Sequence, residues 1–227
     1  GSVMTPPRFA IYFTPPRGEP LERFGAAALA YDAYTGDAVA RAGLPGIDDE
    51  ALDAVTAEPR HYGFHATLKA PFRLRQGCTP AALADAVRGL AASQAAVAVG
   101  RLEPVLLGSF VALVPAVPPR RLDLLAAECV TSLDGFRAAL DDAERQRRKR
   151  AGLTPRQSAL LERWGYPYVF EEFRFHMSLT GPLAPDERER WLRQLSSAFE
   201  AIGQPDIVVD ALTLLRQEAG AAFRVIE

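Results

Sequence analysis

The 227-residue chain contains three histidines, and two of them sit at matching places in a repeated segment. Tyr62-Gly63-Phe64-His65-Ala66-Thr67-Leu68-Lys69-Ala70-Pro71-Phe72 aligns with Phe173-Arg174-Phe175-His176-Met177-Ser178-Leu179-Thr180-Gly181-Pro182-Leu183. In both copies an aromatic stands three residues before the histidine and a Phe one before, with a hydroxyl residue at plus two, Leu at plus three and Pro at plus six. Side chains alternate along a strand, which puts His65, Thr67 and Lys69 on one face and Phe64, Ala66 and Leu68 on the other. The second copy sets Arg174, His176, Ser178 and Thr180 against Phe175, Met177 and Leu179. Each strand then presents an imidazole and a hydroxyl about 6.6 Å apart. Two imidazoles supply a general base and a general acid near neutral pH, because the ordinary pKa of histidine is about 6.5. Thr67 and Ser178, with Lys69 and Arg174 as cations, can hold a phosphate. Together they suit phosphodiester hydrolysis: one histidine activates water, the other protonates the leaving oxygen, and donors stabilise the charge on the phosphoryl oxygens.

The surrounding pattern has to bring the two copies to one cleft. A buried strand is expected at Arg8–Phe13, ended by Pro15-Pro16, and a helix over Glu19–Tyr34. A weak helical turn at Asp49–Thr56 follows the Gly/Pro/Asp loop 43–49, and the first repeat reads as a strand from His61 to Leu74. Thr79-Pro80 starts a helix to Ser93, with Thr as N-cap and Pro at the first helical position. Two strands, Val97–Val105 and Phe110–Val114, precede a helix from Pro118 to Leu133. Residues 136–164 read as two helical pieces, the second capped by Thr154-Pro155 and ended by Gly165. The second repeat is a strand over Phe173–Thr180, followed by a helix over Pro185–Ile202 and closing strands at Ile207–Leu215 and Ala222–Ile226. Strands and helices do not alternate regularly, which favours an α+β antiparallel arrangement over a doubly wound parallel sheet.

Composition narrows the class. With 48% hydrophobic and 24% charged residues and a net charge of -2, the chain is globular, with no global pull toward nucleic acid. No stretch reaches the ~18 unbroken apolar residues that a membrane span needs. The leading Gly1-Ser2-Val3-Met4 lacks the regions of a signal peptide and reads as a cloning remnant on a short terminus of residues 1–5. A cytoplasmic protein is therefore expected. Cys78 and Cys129 stand in unrelated contexts, so they read as free thiols rather than a disulfide or a thiolate zinc site.

Other candidates carry weaker signals. His61 precedes His65 by four, but on a strand the two rings stand about 13 Å apart, too far to share one metal ion. The run Glu144-Arg145-Gln146-Arg147-Arg148-Lys149-Arg150 reads either as an anion-binding surface or as a solvated helix face. Tyr166 and Tyr168, flanking Pro167, form an aromatic lid or plug the core. Tyr12 is a core aromatic or, with Tyr168, a substrate contact.

His65-Ala66-Thr67-Leu68 and His176-Met177-Ser178-Leu179 resemble the paired His-x-Thr/Ser motifs of the 2H phosphoesterase superfamily, which includes RNA 2',3'-cyclic phosphodiesterases. More narrowly, the chain, with Leu153-Thr154-Pro155-Arg156-Gln157 and Trp164-Gly165-Tyr166-Pro167-Tyr168, is similar to a branch encoded near phosphonate-degradation genes. The resemblance implies one bilobal α+β domain over 6–227. Two pseudo-symmetric antiparallel sheets with outer helices would enclose a central cleft, with a helical elaboration at about 136–168. It also implies metal-free, cofactor-free chemistry by His65 and His176, with Thr67 and Ser178 on the phosphate. The expected partners are a small phosphorylated sugar or nucleotide, or an RNA end, with no membrane, and the chain is expected to be a monomer. The competing readings are a phosphosugar or RNA-end binding module without turnover, and a metallohydrolase built on the three histidines.

Overall fold

The computed structural model describes residues 5–40, 44–203 and 206–227. Gly1-Ser2-Val3-Met4 and the start of the 43–49 loop lie outside the described residues. Strand β1 (Arg8–Phe13) is followed by α1 (Pro20–Leu29), which stops five residues short of the expected Tyr34. Ala30 enters the left-handed region at φ 55, and Tyr31–Asp32 (β2) turns back to pair with Asp37–Ala38 (β3). Helix α2 (Asp49–Val55) is capped by Asp48, whose carboxylate accepts the Ala51 N–H at 2.9 Å. The strand expected from His61 begins later. Residues Ala57–Tyr62 form α3, Gly63 turns the chain at φ 79, and β4 runs over Ala66–Arg73.

Helix α4 (Pro80–Ser93) has the expected cap, the Thr79 hydroxyl accepting the Ala82 N–H at 3.1 Å. The next predicted strand is broken at Gly100 into β5 (Val97–Gly100) and β6 (Leu102–Leu107), before β7 (Phe110–Pro115) and α5 (Arg120–Leu133). Helices α6 (Asp142–Arg150) and α7 (Pro155–Trp164) follow, α7 opening on a Thr154/Gln157 capping box and closing on Gly165 in the left-handed region. The second repeat keeps only two residues of regular strand, β8 (Met177–Ser178), and a 3-10 turn over Phe170–Glu172 lies upstream of it. Helix α8 (Arg188–Glu200), β9 (Ile207–Val209), β10 (Thr213–Gln217) and β11 (Arg224–Val225) complete the described chain.

The architecture is α+β with antiparallel pairing throughout. Seven strands form one sheet in the order β11-β10-β1-β4-β8-β7-β6, while β5 and β9 pair separately. The two repeat strands sit side by side at its centre, so the two expected sheets meet along a seam where Ala66 pairs with Met177. One sheet face packs against α1, α4, α5 and α8 in the main core, which contains Ile11, Phe24, Leu68, Leu83, Cys129, Met177 and Leu195. The opposite face carries a small cluster of Ala10, Tyr12, Leu215 and Phe223. Both cysteines are free, and burial pushes the Cys129 thiol up to about 12. Among the described residues no helix is long and apolar enough to cross a membrane.

Candidate active site

Burial follows the repeat. Phe64, Ala66 and Leu68 in one copy and Phe175, Met177 and Leu179 in the other are buried, while His65, Thr67, His176 and Ser178 between them are half-exposed. The seam places these four on one face. With Ala66 opposite Met177 in an antiparallel pair, Thr67 falls beside His176 and Ser178 beside His65. Tyr12 of β1 and Ala112 of β7 are the outer neighbours, paired to Thr67 and Ser178 respectively.

Each imidazole is oriented the same way by its own strand. The Nδ1–H of His65 donates to the carbonyl of Gly63 at 2.8 Å, and that of His176 donates to the carbonyl of Arg174 at 2.8 Å, in both cases two residues back. A carbonyl can only accept, so Nδ1 carries the proton and Nε2 is left as the basic nitrogen in both rings. The Thr67 hydroxyl donates to His65 Nε2 at 3.0 Å. Tyr12 lies beneath His65, with ring centroids 3.7 Å apart and planes within 19°. Loss of hydration lowers His65 to about 4, against the bond from Gly63 and aided by repulsion from His176. His176 is lowered for the same first reason, with Arg174 adding repulsion. Both rings are thus neutral at pH 7.

A cavity of about 160 Å³ opens beside this centre. Thr67, His176 and Arg174 form its polar wall, and Tyr166, Tyr168, Phe170 and Val130 an apolar one. Arg174 therefore stands where the repeat places it, and the Tyr-Pro-Tyr element borders the cleft, with Tyr168 39% exposed and Tyr166 packed on it at 5.5 Å. Phe170 holds a φ of 54, a conformation a bulky residue adopts only under constraint from its surroundings.

Lys69 and Thr180 are placed elsewhere than strict alternation puts them, Tyr12 takes the core place that is one of its two readings, and His61 leaves the strand. Lys69 is 3% exposed and turned into the core side, where its ammonium lies 3.3 Å from the Val130 carbonyl and 3.7 Å from Asp134. The cause is a bulge: β4 advances from Thr67 to Lys69 while β1 steps from Tyr12 to Ile11, so the extra residue reverses the face. Burial lowers the Lys69 ammonium to about 8. Tyr12 is 1% exposed and supports His65 from below. Thr180, beyond the end of β8, is 2% exposed; its hydroxyl accepts the Val111 N–H and donates to the Gly181 carbonyl. His61 closes α3 instead of joining a strand, and its Nε2 accepts the Gln217 amide at 2.6 Å.

Glu172, Phe170 and Val130 also line the cavity and were not candidates in the sequence. Their positions depend on packing of α5 and the 3-10 turn, and no local pattern marks them.

The profile of the family described as Protein of unknown function (DUF1045) matches residues 67–224. Ribose 1,5-bisphosphate phosphokinase PhnN of Janthinobacterium sp. (strain Marseille) is 39% identical over 221 residues, covering 95% of this chain and 49% of that protein. The protein of the same name from Laribacter hongkongensis (strain HLHK9) is 38% identical over 221 residues, covering 96% of this chain and 50% of its own length. The chain spans about half the length of these curated relatives.

Proposed function

The chain belongs to the DUF1045 family, and from that premise we propose that it is a metal-independent phosphodiesterase of the 2H type that opens a cyclic phosphate on a ribose derivative or nucleotide. The observation that carries the reading is the matched pair of imidazoles. Each is fixed in one tautomer by the carbonyl two residues back, with the Thr67 hydroxyl on His65 Nε2 and Ser178 on the same face beside the pair. A phosphate seated between them would accept from Ser178 and Arg174, and from Thr67 once its hydroxyl turns from His65 Nε2 and frees that nitrogen for water. His65, lowered to about 4 and therefore neutral, serves as base: its Nε2 takes a proton from water as the oxygen attacks phosphorus. His176 serves as acid, because the phosphate's negative charge raises its pKa once the substrate is bound, and its proton goes to the departing ribose oxygen.

The relatives' names support a phosphorylated ribose as the substrate class, in keeping with the resemblance to the phosphonate-associated branch. Their kinase activity is named for proteins twice this length. In this chain the two lysines, Lys69 and Lys149, follow Leu68 and Arg148, so the sequence holds no Gly-Lys-Ser/Thr phosphate loop. The test is an assay of the purified chain, with EDTA, on ribose 1,2-cyclic phosphate and on 2',3'-cyclic nucleotides. Turnover of at least one, abolished by His176→Ala, is expected. Binding without turnover would favour a recognition module, and turnover only after zinc is added would replace the two-histidine mechanism.

A further inference from the structure

The sheet face that carries His65 continues toward the start of β1, where it becomes basic. Arg8 lies on the same face as Tyr12, four residues or about 13 Å along the strand, and is the cross-strand partner of Arg73. A line of rings connects the two ends: His65 stacks on Tyr12 at 3.7 Å, Tyr12 lies 6.1 Å from Phe223, and the Arg8 guanidinium sits 5.3 Å over Phe223. Helix α6 is fastened beside this end by the ion pair of Arg73 with Glu144. Two neighbouring cavities, of about 390 and 140 Å³, both share Arg8, Arg73 and Arg147 in their walls. Arg148 lines the smaller one and lies 5.0 Å over the ring of Tyr166, which itself borders the catalytic cavity.

The charges in this groove are unbalanced. Glu144 is engaged by Arg73, and the Asp141 carboxylate accepts the Glu144 N–H at 2.7 Å as the cap of α6. Among the described residues, Arg8, Arg147 and Arg148 have no carboxylate within ion-pair distance; Arg8 donates to the amide oxygen of Gln217 at 2.7 Å. Three arginines from two elements line this groove, Arg147 exposed and Arg8 and Arg148 half-buried against the rings of Phe223 and Tyr166; such a set is suited to a phosphate, which accepts from several donors at once.

We infer that the groove bounded by Arg8, Arg147 and Arg148 is a second phosphate subsite, which holds a phosphate on the far end of the molecule whose cyclic phosphate is opened at His65 and His176. The inference rests on the proposed activity for its biological meaning, and on the groove itself for binding. It makes the preferred substrate doubly phosphorylated and gives the basic run of α6 a role in selectivity.

Two measurements test it. Calorimetric titration of the whole chain with inorganic phosphate should show a binding event that persists in the His65→Ala/His176→Ala double variant and weakens about tenfold in Arg147→Ala, the scale of one charge-assisted hydrogen bond. Arg147 is an exposed helix residue, so this variant keeps its fold. Phosphate affinity indifferent to Arg147→Ala overturns the subsite whether or not the chain turns over any substrate. The second measurement compares kcat/KM for a 2',3'-cyclic nucleotide with and without a 5'-phosphate. The preference for the 5'-phosphorylated form should fall about tenfold in Arg147→Ala and in Arg8→Gln; an unchanged preference overturns the assignment. Failure of the proposed activity would appear differently, as absence of turnover with both substrates while groove binding survives.

Discussion

Two rings 111 positions apart in sequence are bound to the backbone in the same way, and their chemistry follows from that. Replacing either His65 or His176 by Ala should lower kcat/KM by about 10²–10⁴, the contribution of general acid or base catalysis. The double replacement should cost little more, because the two act as a unit; full multiplicative loss would show that they act independently. The depressed His65 also gives a pH signature. Its folded value, about 4, lies below the ordinary 6.5, so between these limits the unfolded chain binds a proton that the folded chain refuses. Its contribution is therefore undiminished above pH 6.5 and is lost as pH falls toward 4. Urea midpoints measured from pH 7 to pH 4 should fall less steeply for His65→Gln than for the parent protein. Equal slopes would mean that the imidazole is hydrated. In kinetics the acid limb of kcat/KM for the free enzyme should likewise lie well below 6.5.

Elements decide which residues can meet at the site, and here the sequence was legible in part. The alternation of the repeat marks the buried and open faces of Phe64–Leu68 and Phe175–Leu179, and the caps at Thr79, Thr154 and Gly165 mark helix ends, because each is a short-range effect. The fate of Lys69 was not legible: a bulge depends on how β4 fits against β1, which no residue in the segment announces. Lys69→Met should accordingly leave kcat/KM within about twofold and stability within about 1.5 kcal/mol, since Met fills similar volume and Asp134 keeps Arg137 and Arg163. A tenfold drop in kcat/KM would return the lysine to the phosphate. The 3-10 turn over Phe170–Glu172 was hidden for a related reason, since it packs against α5. Gly165 is the sharper element test. At φ 78, with a Cβ that would meet the Arg137 guanidinium at 2.7 Å, Gly165→Ala should destabilise the protein by about 1–2 kcal/mol and raise KM by displacing Tyr166. Chemical denaturation and steady-state kinetics on the same variant read both effects.

For the whole molecule, the stretch from Tyr166 to Phe173 borders a cavity of about 160 Å³, while none of the residues of α6 or α7 lines it; the space suits a sugar or base better than a long strand. Small cyclic phosphates should therefore be hydrolysed faster than oligonucleotides ending in a 2',3'-cyclic phosphate, and chelators should leave the rate unchanged; a faster oligonucleotide rate would mean that the aromatic wall opens. The seam between β4 and β8 has a temporal consequence. Neither half of the sheet owns a complete set of acid, base and hydroxyls, and the contact of Ala66 with Met177 that unites them spans about half the chain. Contacts of such separation form late, after local helices such as α4 and α7. During refolding, recovery of helical signal should precede recovery of catalysis, and a nascent chain would stay inert until its second half has been made and has closed against the first.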